Sequence, residues 1–129
     1  MSWASPALQG EWKCVAGEEN GKAQDRSAVK RENRRLTIKG NSLTMERVGA
    51  SWVGKFEIDA INGDFDWVGK GPQEKLVEWI GIYELDDDNL KLCFIFQKDG
   101  KAKRPKAFRA LPPVPGMPQA FYTFKRDND

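Results

Sequence analysis

The strongest constraint in this sequence is a two-residue alternation of apolar and polar side chains, repeated in short runs that each end at Gly, Asn, Asp or Pro. Successive side chains on a strand point to opposite faces, so each run describes a strand with one face in a core and the other in water. Trp12, Cys14 and Ala16 alternate with Glu11, Lys13 and Val15 before Gly17 closes the first run. Leu36 and Ile38, then Leu43 and Met45, flank Gly40-Asn41, so residues 34–48 read as a hairpin. Trp52, Gly54, Phe56 and Ile58 share one face of the next strand, and Asn62-Gly63 turns the chain into a strand carrying Phe65 and Trp67. From Leu76 to Leu85 both faces hold apolar residues. The phase with Val77, Trp79, Gly81, Tyr83 and Leu85 inward keeps Glu78 and Glu84 in water. The acidic turn Asp86 to Asn89 leads into Leu90, Leu92, Phe94 and Phe96 on one face. A short strand around Phe108 and a last one from Phe121 to Arg126 are separated by a proline-rich loop, residues 111–118, which cannot join a ladder.

About eight to ten short strands in one antiparallel series, joined by tight turns, predict an all-β up-and-down barrel rather than Greek-key crossings. The only helix signal lies near 25–31, with Asp25 as N-cap. At 129 residues the chain reads as a single domain, 1–129, large enough to bury a core without staples. A barrel of about eight strands is just wide enough to be filled by side chains or to hold one small ligand.

Gly10-Glu11-Trp12 resembles the Gly-X-Trp opening of lipocalins and related calycin barrels. The resemblance extends through Leu8 to Lys13, Asn20-Gly21-Lys22, Leu36 to Thr44, Gly81 to Asp86, Leu90 to Phe94 and Arg104-Pro105. Over most of residues 8–126 the chain looks like a small lipocalin-like domain family, abundant in planctomycetes, that has no assigned function. That resemblance implies a barrel closed at one end by Trp12 beneath a basic side chain of the last strand, Lys125 or Arg126. It brings no catalytic residues with it. The proline-rich loop departs from the usual family ending.

Histidine is absent, whereas fourteen residues are aromatic, five of them Trp. This excludes Ser-His-Asp and Cys-His nucleophile pairs and any zinc site that needs imidazole. Two cysteines, Cys14 and Cys93, cannot make a four-thiolate site, so no metal is expected, and reduced thiols fit a cytoplasmic chain. No cofactor is expected either. The stretch Gly49 to Phe56 lacks the Ser or Thr of a phosphate loop and alternates as a strand, and Asp86 to Asp88 lacks the spacing of a calcium loop. Met1 to Gly10 has neither the basic lead nor the apolar core of a secretory leader, and no apolar run is long enough for a membrane helix.

The inward aromatic residues Trp52, Phe56, Phe65, Trp67, Trp79, Tyr83, Phe94 and Phe96 are therefore the candidate lining of a site for a small apolar or aromatic molecule. Arg47 is a candidate cation for a ligand head group. A second reading is a histidine-free cyclase or isomerase in the same cavity, with Tyr83 as its candidate catalytic residue alongside a carboxylate. Asp64, Asp66, Glu78 and Glu84 all fall on the outer face, which favours surface charge over chemistry. A third reading is an interaction module. The formal net charge is +2, yet residues 26–39 and 98–109 each carry net +5. These segments make an anionic-surface patch only if the fold brings them together, and no RNA-binding signature accompanies them, so nucleic acid is not an expected partner. Ile80, Ile82, Cys93 and Ile95 share an outer face and need a cover, either the helical turn at 25–31 or a second copy in a homodimer.

Overall fold

The structure is a computed structural model that describes residues 6–97, 100, 102–110 and 118–127. Trp3, most of the proline-rich loop and the lysines at 98 and 101 lie outside the described residues. A single turn of 3-10 helix, Pro6–Leu8, precedes β1 (Gly10–Glu19), β2 (Lys22–Ala23), α1 (Arg26–Glu32), β3 (Arg35–Lys39) and β4 (Ser42–Arg47). There follow β5 (Ala50–Asp59), β6 (Asp64–Lys70), a second 3-10 turn at Pro72–Glu74, β7 (Leu76–Asp86), β8 (Asn89–Phe96) and β9 (Gln119–Arg126). Every strand pair is antiparallel. β1, β3, β4, β5, β6, β7, β8 and β9 form a ring that the β9 to β1 pairing closes, while β2 is an extra strand on the end of β1. Closure removes exposed sheet edges, so the ring needs no further partner to satisfy its backbone.

Local chemistry explains the turns. Asn20 and Gly21 both take positive φ, as a two-residue hairpin loop between right-twisted strands requires. Asp25 accepts a hydrogen bond from the Ala28 N–H at 2.7 Å, starting α1, and Asn33 in the left-handed conformation ends it. Gly54 and Gly69 face each other across β5 and β6, where a Cβ on Gly54 would sit 2.6 Å from the Gly69 Cα and 2.8 Å from the Trp67 ring. Glycine at both positions lets the Trp67 indole lie flat across the ladder.

The inward faces follow the alternation on every strand but one. Between Cys14 and Ala16 the β1–β9 register shifts, leaving Val15 as a bulge. Ala16, expected inward, is exposed. Gly17 and Glu19 face the interior instead, opposite Tyr122 and Ala120. Residues 106–109 are bends, not the expected strand around Phe108, because their hydrogen-bonding groups meet side chains and single carbonyls rather than a ladder.

Trp12 closes one end of the barrel. It is fully buried, its indole N–H donates to the Leu8 carbonyl at 3.0 Å, and the Arg126 guanidinium lies 4.2 Å from the ring centroid. Arg126 also donates to the Gln9 carbonyl at 2.9 Å and to the Ala7 carbonyl at 2.6 Å, tying the N-terminal turn over the end of the ring. Of the two cations considered for this position, Lys125 is exposed, because it falls in the outward phase of β9.

The outer patch of Ile80, Ile82, Cys93 and Ile95 is covered by the chain itself. Neither α1 nor a second copy is required there, since residues 102–110 run across it and leave Cys93 and Ile95 buried. Arg104 anchors the crossing: it donates to the Gly81 carbonyl and to Asp66, both at 2.8 Å. Phe108 packs 5.8 Å from Phe121, and the Cys93 thiol donates to the Ala107 carbonyl at 3.4 Å. α1 packs instead against β1. Among the described residues no helix is long and apolar enough to cross a membrane.

Candidate functional site

At the end opposite Trp12 the interior is left partly unfilled. A cavity of about 200 Å³ is lined by Trp52, Trp79, Phe94 and Phe96 on its aromatic side, by Met45 and Ala120 below, and by Glu19, Arg34, Arg47 and Tyr122. They come from β1, β4, β5, β7, β8 and β9 and, for Arg34, from the residue just before β3. Trp79 on β7 stacks on Trp67 at 4.1 Å on one side and on Phe94 at 4.2 Å on the other. Trp52 and Phe96, half-buried, tilt against it at 6.4 and 6.1 Å. This is a rigid aromatic wall, held by interlocked neighbours.

The expected lining thus divides in three. Trp52, Trp79, Phe94 and Phe96 line the cavity. Phe56, Phe65 and Trp67 point inward but are buried fill beneath it, with the Trp67 N–H bonded to the Leu43 carbonyl at 3.0 Å. Tyr83 does not reach the cavity. It sits farther along β7, towards the closed end, and borders an outer depression with Asn62, Gly63 and Arg104. A catalytic pairing built on Tyr83 within the aromatic cavity therefore lacks its geometry.

A polar cluster that the alternation pattern did not single out forms the other wall. Arg34, 3% exposed, has its guanidinium 4.1 Å from the Tyr122 ring and donates to Glu32 at 3.0 Å and to Glu19 at 3.4 Å. The Tyr122 hydroxyl donates to the same Glu19 oxygen, and Gln24 donates to both carboxylates, at 3.3 and 3.1 Å. Burial holds the Tyr122 phenol well above its ordinary pKa; Arg34 opposes that shift and the Glu19 hydrogen bond adds to it. Tyr122 is thus a neutral donor to Glu19. Signals for two members were present. Arg34 shares the parity of the inward Leu36 and Ile38, and Tyr122 that of Phe124. Glu19 was illegible, because only the bulge at Val15 turns it inward.

Arg47 stands at the rim, 5.8 Å from the Trp52 ring, and donates to the Val48 carbonyl. Among the described residues no group of three or more Cys, Asp or Glu is arranged to hold a metal ion. Cys14 and Cys93 are both buried, which pushes each thiol up to about 11, so neither is an activated nucleophile. One basic segment runs through α1 and β3, and the described part of the other, residues 102–109, crosses β7 and β8; β3 and β8 stand three places apart in the eight-membered ring. Arg34 and Arg104 are in addition drawn into ion pairs. No family model matches the chain, and neither a curated protein nor a solved structure shows significant similarity to it.

Proposed function

We propose that this chain is a lipocalin-like binding domain that takes a small apolar or aromatic molecule into the open end of its barrel. The observation that carries the reading is the uneven filling of the interior. Around Trp12, Trp67 and Phe124 the core is fully buried, whereas the other end keeps about 200 Å³ walled by five aromatic side chains. An apolar cavity of about 150 Å³ accepts a benzene ring, and drug-sized ligands occupy roughly 300 Å³ or more. The size therefore points to a ligand of one ring with a short substituent. The lipocalin-like assignment rests on the closed antiparallel ring and on the Trp12–Arg126 closure of one end.

Native mass spectrometry of the purified protein, together with an ethylbenzene titration followed by tryptophan emission, tests the reading. A saturable one-to-one response is expected, because Trp52 and Trp79 line the cavity. Ala120→Leu, which fills the cavity from below, is expected to abolish that response with the fold retained. If emission stays flat in the parent protein and no bound mass is seen with ethylbenzene, the binding reading is overturned.

A further inference from the structure

The three core indoles are not equivalent. Trp12 donates to Leu8 and Trp67 to Leu43, but the Trp79 N–H is buried with no partner among the described residues. The Arg34 Nε, from the facing wall of the same cavity, is also buried and unpartnered. Buried donors are almost always satisfied, so two orphans bordering one cavity call for an explanation. Rotation cannot rescue Trp79, because Trp67 and Phe94 clamp both faces of its ring and a turn would break both stacks. The polar wall places no acceptor within reach of it either. The Glu19 and Glu32 carboxylates are already engaged by Arg34, Gln24 and, for Glu19, Tyr122.

Building on the binding function above, we infer that the cavity selects an uncharged ring bearing a hydrogen-bond acceptor, such as a carbonyl oxygen or a ring nitrogen, which receives the Trp79 N–H. An anion gains little here: Arg34 sits between two carboxylates, and with Arg47 at the rim the four charges cancel. A purely apolar ring leaves the donor unpaired. Because the N–H is buried, engagement requires a neighbouring side chain to shift, and Trp52, half-buried at the mouth and 6.4 Å from the Trp79 ring, is placed to do so. The competing explanation is that the tilted rings of Trp52 and Phe96 serve as π acceptors for the indole, with no ligand acceptor needed.

Three probes of nearly one shape separate these possibilities: acetophenone, ethylbenzene and benzoate, titrated by calorimetry and by the indole N–H resonances of ¹⁵N-labelled full-length protein. Acetophenone is expected to bind about tenfold tighter than ethylbenzene, with benzoate weakest, since satisfying a buried donor is typically worth about one power of ten in affinity. One indole N–H resonance should move downfield with acetophenone alone. In Trp79→Phe that resonance disappears and the two neutral probes bind equally. Equal binding of acetophenone and ethylbenzene by the parent protein overturns the acceptor inference and leaves the binding function standing; tightest binding by benzoate overturns the uncharged class. If no probe binds, both fall. The comparison within the parent protein decides the matter even where Trp79→Phe fails to fold.

Discussion

The Arg34 guanidinium lies over the Tyr122 ring, 4.1 Å from its centroid, and this contact joins the residue just before β3 to β9 across the mouth of the barrel. Both residues also grip Glu19, so a cation from the turn before β3, a carboxylate of β1 and a phenol of β9 form one unit. Burying an arginine is tolerated here because its charge has two carboxylate partners and an aromatic face.

Removing that charge leaves Glu19 and Glu32 close together with no cation between them. Loss of one partner from a buried pair costs about 3–5 kcal/mol, and the figure shrinks here because Glu19 and Glu32 keep 39% and 27% exposure. Arg34→Met is expected to lower the unfolding free energy by about 2–3 kcal/mol in urea titrations. A loss under about 0.5 kcal/mol, the level of an ordinary surface change, would contradict this account.

At the closed end the two neighbouring cations should behave oppositely. Arg126→Ala removes the contact with Trp12 and the bonds to Gln9 and Ala7, and should cost about 2–3 kcal/mol. Lys125→Ala should stay within about 0.5 kcal/mol. Thermal melts of the two variants side by side check the contrast, and equal losses would remove Arg126 from the closure.

Alkaline stability depends on the two thiols. Cys14 and Cys93 are raised by burial from the ordinary 9.0 to about 11 in the folded chain. Between those values the unfolded chain has lost protons that the folded chain retains, so the folded state binds more protons and stability falls as pH rises. The full contribution is present below about pH 9 and is lost as pH climbs through about 11, on the order of 2 kcal/mol per thiol. Melting temperatures from pH 8 to 11 should decline for the parent chain and decline less for the Cys14→Ala, Cys93→Ala double variant.

The covering segment over β7 and β8 is pinned by Arg104, whose partners are the Gly81 carbonyl, Asp66 and Asp64. Arg104→Ala should loosen residues 102–110 and expose Cys93, raising its rate of reaction with a thiol reagent by about tenfold or more, since opening becomes easier by at least 1.4 kcal/mol. Cys14, on β1 beside α1 and away from residues 102–110, serves as the internal reference and should keep its rate. Parallel increases at both thiols would mean global destabilisation instead of local opening.

The sequence alone determined the eight strands of the ring, the turns, a capped helical stretch near residues 25–31 and most of the inward faces, because hydrophobic alternation and turn chemistry act within a few residues. It also marked Trp52, Trp79, Phe94 and Phe96 as interior. What it left open depended on distance and volume. Alternation assigns a side chain to a face but not to a depth, so Phe56, Phe65 and Trp67 as fill, and Tyr83 outside the cavity, became distinct only once the ring had closed. The bulge at Val15 exists because β9 pairs with β1, a contact spanning nearly the whole chain, and that one extra residue carries Glu19 inward to meet Arg34 and Tyr122. Packing also decided which donors went unpaired. Trp79 is locked between Trp67 and Phe94, and no local rule foretells that its N–H is the one left facing no partner.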